Sequence, residues 1–190
     1  MNVIVHKENR GYGANQKTCY SEAFKRGAGI IVMLHPDYQY NPRLIPELIK
    51  PILMDEADVV LGSRFLKINP INYGMPIYKY LGNRFLTAIQ NIIFSSSFSE
   101  FHTGFRAFSR RVLETIPYQN NSDGFVFDAE IVAQIFFFKF RIKEITAPAL
   151  YTPEVSSIGF FKSINYGFST IFTLLKYLLA KKNIYISRLF

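Results

Sequence analysis

A chain of 190 residues fits one compact domain, and 49% hydrophobic residues against 19% charged, with 19 Phe and 12 Tyr, exclude a disordered tail. No run reaches the roughly 18 uninterrupted apolar residues of a membrane-spanning helix; the best candidate, 164–180, is broken by Asn165, Ser169, Thr170 and Lys176. A net charge of +8 favours a polyanionic partner, but the basic residues are scattered in ones and twos, which argues against nucleic acid and leaves phosphorylated small molecules and anionic lipid. The single cysteine, Cys19, allows no internal disulfide and no cysteine-based zinc cage; with no signal-peptide pattern at the start, a reducing, cytoplasmic setting is expected.

In chain order, Asn2 to Val5 is a β-branched stretch expected to be a strand, and it leads into the turn Asn9-Arg-Gly-Tyr-Gly13. Cys19, Tyr20, Ala23 and Phe24 recur at helical spacing, with Cys19 on the apolar side as a core residue, before stop signals at Gly27 and Gly29. Gly29 to Leu34 is solidly apolar, the pattern of a strand covered on both faces. Its carboxyl end opens into His35-Pro-Asp-Tyr-Gln-Tyr40. Asn41-Pro42 caps a helix whose apolar face is Leu44, Ile45, Leu48, Ile49, Ile52 and Leu53, and Asp58 to Leu61 is a further short buried strand ending in Gly62-Ser-Arg64.

Beyond a loop over 67–76, a helix places Ile77, Leu81, Phe85, Ile89 and Ile92 on one side and carries Gly82-Asn-Arg84 in its early turns. Then follow a serine-rich break, Phe101-His-Thr-Gly-Phe-Arg106, a short helix over 111–115, an apolar helix over 125–140 bearing Asp128 and Glu130, and a strand over 141–146. The last long helix carries an apolar stripe of Ile164, Phe168, Ile171, Leu175 and Leu178, fit for core, for oligomer packing or for a membrane surface. Alternating strands and helices predict an α/β fold with a mostly parallel sheet flanked by helices. Such folds bind ligands beyond the carboxyl ends of their strands. The expected division is a domain over 1–160 and a basic amphipathic helix and tail over 161–190.

Asp37 and Gln39, two apart at a strand end, point the same way and offer oxygen ligands to a hard divalent cation, with His35 as a third ligand at the same spacing. The same residues fit an Asx turn with His35 merely packed. Arg64 and Arg84 follow Gly-Ser and Gly-Asn, and their planar guanidinium forks match phosphate oxygens or surface carboxylates equally. The amides around Gly11 and Gly13, ahead of a helix, suit a phosphate or simply a βα turn. His102, Asp128 and Glu130 are polar groups in apolar surroundings, fit for acid–base work or for hydrogen-bonded structural roles.

The order of these motifs is more specific than any one of them. Asn9-x-Gly-x-Gly-Ala14, His35-x-Asp-x-Gln39, Ala57-Asp-Val-Val-x-Gly-Ser-Arg64, Gly82-Asn-Arg84, His102-Thr-Gly-Phe-Arg106 and Phe127-Asp-x-Glu130 together resemble the family 2 glycosyltransferases, most nearly the dolichyl- or polyprenyl-phosphate sugar synthases, over about 3–157. The resemblance implies a GT-A (Rossmann-like) fold, a nucleotide-sugar donor and Mg2+ or Mn2+ held at a D-x-D motif with a nearby Gln. By position Asp37 matches the second aspartate of that motif and Gln39 its glutamine, while His35 replaces the first aspartate.

The resemblance also assigns Asp37 and Glu130 catalytic positions, Arg64, Arg84 and Arg106 phosphate contacts, and Gly11 and Gly13 contacts to the donor. Ser156-Ser157 falls where relatives carry a mobile loop. The implied acceptor is a polyprenyl phosphate or a glycan, with peripheral contact at the inner face of the membrane in cell-envelope synthesis. An ionised lipid phosphate needs no strong base, in keeping with the absence of a His–Asp nucleophile pair. Relatives carry two further βα units before the region matched, so the chain reads as a truncated GT-A domain. Three readings follow: a metal-dependent transferase; a non-catalytic remnant or subunit that needs a partner chain supplying the missing strands; or a peripheral membrane-binding module built on the basic terminal helix. A partner chain or a homo-oligomer is the implied association.

Overall fold

A computed structural model describes residues 3–151, 159–185 and 187–190; Ser156 and Ser157 lie outside the described residues. The elements in order are α1 (Tyr12–Lys25), β1 (Ile30–Met33), a 3-10 turn (Pro42–Leu44), α2 (Ile45–Leu53), β2 (Val59–Ser63), a 3-10 turn (Pro70–Tyr73), α3 (Ile77–Phe94), β3 (Arg106–Ser109), α4 (Arg110–Thr115), a 3-10 turn (Tyr118–Asn120), α5 (Phe127–Phe137), β4 (Ile142–Thr146) and α6 (Phe160–Lys181). The α/β expectation holds and, apart from β3 and the amino-terminal stretch, the elements fall within a few residues of their expected places.

The four strands form one sheet in the order β1-β3-β2-β4. β2 and β4 are parallel, from Val59 opposite Ile142 to Ser63 opposite Thr146. β3 runs against both its neighbours, with Arg106 opposite Met33 on one side and Leu61 on the other. Three strands therefore share a direction, and the fourth inserts between them in reverse. That strand is absent from the sequence reading: it is four residues long, begins with a buried arginine and passes straight into α4, so it carries no β signal of usual length. The expected strand at Asn2 to Val5 is also corrected: Val3, Ile4 and Val5 are exposed and make no ladder, and β-branched residues without a neighbouring strand gain nothing from extension.

Successive residues of the central strands face opposite cores. Val59, Leu61 and Phe108 pack with α1, α4, α5 and α6 in the larger core, while Val60 and Ala107 join Leu48, Tyr40 and Phe105 beneath α2. Full burial of a side chain such as Phe108 contributes about 1.5–3 kcal/mol. The C-terminal helix belongs to this packing, since Leu174 and Tyr177 lie in the larger core.

Two helices bury a partly polar face and leave much of their apolar stripe outward. On α3 the buried positions are Asn83, Leu86, Thr87, Gln90 and Phe94, whereas Ile77, Leu81, Phe85 and Ile92 are exposed. On α6 the buried positions include Thr170, Thr173, Leu174 and Tyr177, and Ile164, Phe168 and Leu175 of the apolar stripe are exposed, which removes core packing for that part of it. Cys19, expected in the core, is also exposed.

Candidate functional site

The carboxyl ends of β1, β2 and β4 and the amino end of β3 meet at one edge of the sheet, so the loops leaving them converge. They surround a cavity of about 720 Å3, lined among others by His35, Asp37 and Gln39 after β1, Arg64 after β2, His102 and Gly104 before β3, and Tyr151 after β4. Helices close the sides: Tyr12 from α1, Lys79 and Asn83 from α3, Asp128 from α5 and Tyr166 from α6. The volume, and a mostly apolar lining set with a few convergent polar and charged groups, are those of a small-ligand site.

At the β1 tip, Asp37 Oδ1 accepts the Gln39 backbone N–H at 3.1 Å, the Asx turn that carries both side chains into the hollow, with Tyr38 at φ 58° between them. The Cδ2–Nε2 edge of the His35 ring lies against Gly104, where a Cβ would stand 2.5 Å from Cδ2, so a larger residue there would displace the imidazole. Its Nε2 is 3.5 Å from Tyr12 Oη. Tyr12 in turn donates to Asp128 Oδ2 at 3.0 Å, and Arg106 Nη1 lies 3.3 Å from Asp128 Oδ1. Burial first, then the nearby Asp128 charge, pushes the Tyr12 phenol well above its ordinary range, so it stays a hydrogen-bond donor.

Arg64 forms a buried ion pair with Glu100: its Nε donates to Oε1 at 2.9 Å and its Nη2 pairs with the same oxygen, while Nη1 donates to Tyr151 Oη at 2.6 Å and Nη2 to the His102 carbonyl at 2.8 Å. Burial alone would raise the Glu100 carboxyl, but the Arg64 guanidinium and its hydrogen bonds outweigh it and hold the group below its ordinary range. Most of the arginine's donors are thus committed. Lys79 also lines the cavity and makes no ion pair among the described residues. Burial, then Arg64, lowers its pKa.

The remaining expected site residues sit elsewhere. Arg84 is exposed, over the Phe65 ring at 5.9 Å. Arg106 is buried beneath the cavity floor, donating to the Thr103 and Phe101 carbonyls at 2.7 and 3.1 Å. Glu130 accepts from the Ser122 N–H at 2.6 Å, away from the hollow; burial raises its pKa. The amides near Gly11 and Gly13 are occupied, Gly11 N–H by Asn9 Oδ1 at 3.0 Å and Gly13 N–H by the Asp123 carbonyl at 2.7 Å. Gly11 adopts φ 93°, and a Cβ on Gly13 would run into the Ser122 carbonyl, so both glycines serve the seating of α1 against 122–124.

Tyr12, Lys79, Tyr151 and Tyr166 were not found from sequence. Lys79 was legible in part, since it shares a helix face with Gly82, Asn83 and Leu86. The aromatic residues carry no signal apart from their place in space.

His102 lies in the cavity wall with Nδ1 2.9 Å from Tyr166 Oη, and its buried Nε2 has no hydrogen-bond partner among the described residues. Burial lowers its pKa from 6.5 to about 3. Between those values the unfolded chain binds a proton that the folded one refuses, so stability falls as pH drops from about 6.5 towards 3. Glu130 and Glu144, with raised pKa values, act in the opposite direction near the acid end. Urea denaturation at pH 7 and pH 5 isolates the imidazole: His102→Asn should lose less stability than wild type over that step, and equal losses would contradict the assignment.

Strand tips, a turn bearing a carboxylate and an amide, and the cationic side chains Arg64 and Lys79 thus meet around one hollow at the sheet edge of an α/β protein. The comparisons specify the class. Residues 1–117 match the model of glycosyl transferase family 2, and the chain belongs to that family.

It is similar to UDP-N-acetylglucosamine–dolichyl-phosphate N-acetylglucosaminyltransferase of Methanococcus voltae, 28% identical over 94% of this chain and 70% of the relative. A low-salt glycan biosynthesis hexosyltransferase of Haloferax volcanii is 30% identical over 80% of this chain and 35% of the relative. Among solved structures, glucosyl-3-phosphoglycerate synthase of Mycobacterium tuberculosis, in complex with Mn2+, UDP-glucose and phosphoglyceric acid, superposes with a TM-score of 0.58 at 17% identity, over 97% of this chain. The fold is therefore that of the GT-A glycosyltransferases. The chain spans 58% of that solved chain's length.

Proposed function

We propose that the cavity binds a nucleoside-diphosphate sugar and that the protein transfers the sugar to a phosphate-bearing acceptor, a polyprenyl phosphate. The observation that carries this reading is the meeting of Asp37 and Gln39 with Arg64, Lys79 and Asp128 around one hollow. The named activity of the Methanococcus voltae relative supports the lipid phosphate over the glycan as acceptor.

Among the described residues no group of three or more His, Cys, Asp or Glu comes together to hold a metal. Asp37 and Gln39, with His35 beside them, fit a divalent cation that also takes phosphate oxygens from the nucleotide, and do not fit one held by protein alone. Such a cation, when bound, offsets the charge that builds on the departing diphosphate. Lys79, with no ion pair among the described residues, adds a positive charge to the same wall, and the Arg64–Glu100 pair holds Tyr151 and the His102 carbonyl in place. Asp128, oriented by Tyr12 and Arg106, faces the hollow where Glu130 does not, and is the carboxylate of α5 positioned beside a bound acceptor. In the transfer, the bond from sugar C1 to the diphosphate oxygen breaks and one from C1 to an acceptor phosphate oxygen forms.

No helix of the described residues is long and apolar enough to cross a membrane, so a lipid acceptor is reached from the membrane surface. Incubating the protein with labelled UDP-N-acetylglucosamine, Mn2+ and a polyprenyl phosphate tests the proposal. Label should move to the organic-soluble lipid, and chelation should stop it.

A second reading has its own observation. β1 pairs on one side only, with β3, and its outer edge meets no strand among the described residues. An open edge is a template for a strand from a partner chain or a second copy. Transfer that appears only when such a chain is added would favour a subunit over a self-sufficient enzyme.

A further inference from the structure

His35 is the position at which the chain departs from the D-x-D pattern it otherwise resembles, and its packing separates the two ring nitrogens. The Cδ2–Nε2 edge lies against Gly104, where an added Cβ would meet both atoms within 2.6 Å. In a five-membered ring the atom opposite that edge is Nδ1. It makes no hydrogen bond among the described residues, and it is not one of their buried unpartnered atoms, which are Gln90 Oε1, His102 Nε2 and Ser109 Oγ. Nδ1 is therefore open where His35 lines the cavity.

What Nε2 carries follows from Tyr12. The phenol hydrogen goes to Asp128 Oδ2 at 3.0 Å, since a carboxylate is a stronger acceptor than Met33 Sδ at 3.6 Å. Burial keeps that hydrogen on the oxygen by pushing the phenol far above its ordinary range. The Tyr12 oxygen, 3.5 Å from His35 Nε2, is left with lone pairs to offer. Two bare lone pairs facing each other repel, whereas an Nε2–H aimed at Tyr12 Oη gains a hydrogen bond. The Gly104 N–H is no alternative donor to Nε2, because it is directed to Tyr40 Oη at 3.4 Å. Tyr12 is itself anchored, stacked on Phe125 with ring centroids 5.2 Å apart.

We propose that Tyr12 is a positioning residue that holds His35 as its Nε2–H tautomer, so that Nδ1 is a nitrogen ligand and the site selects a transition-metal ion over Mg2+. This rests on the reading of a cation shared by Asp37, Gln39 and a diphosphate, and adds to it the choice of ion. A neutral imidazole binds metal through the nitrogen that its other hydrogen bond leaves bare. Nitrogen donors discriminate against Mg2+, which prefers oxygen, and favour Co2+ over Mn2+.

With three histidines in the chain, the tautomer is directly measurable. Long-range 1H–15N spectra of the metal-free protein at pH 8 should show a hydrogen-bearing Nε2 and a bare Nδ1 for His35, identified by its absence in His35→Asp. In Tyr12→Phe, which keeps the ring and removes the hydroxyl, the two nitrogens should move towards averaged values. With UDP and Mn2+, electron spin-echo modulation should carry a directly bound 14N in wild type and none in His35→Asp. Ion competition supplies the magnitude: wild type should raise the Mn2+-over-Mg2+ preference of free UDP by about tenfold, and that of Co2+ further. In His35→Asp the gain for Mn2+ should fall to within about twofold, and in Tyr12→Phe it should shrink by at least about threefold.

An Nδ1–H tautomer in wild type overturns the inference, as does a tautomer and ion preference that Tyr12→Phe leaves unchanged. Should Tyr12→Phe lose its fold, the wild-type tautomer and the His35→Asp comparison still decide. A complex with UDP and Mn2+ that lacks nitrogen modulation removes the inference and leaves the donor reading standing. Failure of UDP and Mn2+ to bind together removes that reading and the inference with it.

Discussion

Glu100→Ala should destabilise the protein by about 3–5 kcal/mol, the cost of leaving a buried arginine without its counter-charge. Glu100 is fully buried and meets Arg64 through the side-chain pair and through the Arg64 backbone N–H at 2.9 Å, and it also accepts from Asn83 Nδ2 at 2.7 Å. Its removal therefore strands a guanidinium, a backbone amide and a side-chain amide together. Replacing both charged partners, as Arg64→Met with Glu100→Leu, should cost less than Glu100→Ala, because no uncompensated charge remains. Urea denaturation with matched slopes checks both, and a loss below about 1 kcal/mol for Glu100→Ala would contradict the described pairing. The same geometry gives the pair's pH dependence. The folded-state pKa of Glu100 is depressed, so its stabilisation is present above the unfolded value of 4.5 and is lost as pH falls through the folded one.

Asp37→Ala should weaken Mn2+-dependent binding of UDP-N-acetylglucosamine by on the order of 100-fold, since it removes the one carboxylate at the β1 tip that can share a cation with the diphosphate. Asp37 has two jobs there, because Oδ1 also accepts the Gln39 N–H. Asp37→Asn separates them: asparagine keeps the turn and loses the charge. Loss in both variants assigns the effect to charge, and loss in alanine alone assigns it to the turn. Cys19→Ala, an exposed position on α1, should bind as wild type does.

Much of the arrangement was legible in the sequence for identifiable reasons. A solid apolar run such as Ile30 to Met33, followed by a polar cluster, reads as a strand that opens into a polar tip; the strand is present, and His35, Asp37 and Gln39 line the cavity. β3 was hidden because its four residues are too few for a period and one is charged; the sheet accepts Arg106 because its guanidinium is hydrogen-bonded beneath the cavity.

Which face of α3 and of α6 meets the core cannot be read from their apolar stripes, since a stripe fits a core, an oligomer contact or a membrane surface alike. Here the core accepts the other face, in which Asn83 and Thr87 bond to Glu100 and to each other, and that network is invisible until the chain folds. Asp128 and Glu130 pose the same difficulty on a smaller scale. Two residues apart on a helix they point roughly oppositely, and which of them meets the cavity depends on the rotation of α5. Lys79 became a site residue only when the tip of β2 came to rest beside the start of α3.

The most direct test is a crystal structure of the protein grown with Mn2+ and UDP. An anomalous manganese peak is expected in coordination contact with the Asp37 carboxylate, with a diphosphate lying across the cavity towards Lys79 and Arg64. A nucleotide seated outside that cavity, or a manganese ion away from Asp37 while UDP is bound, would contradict the proposed function.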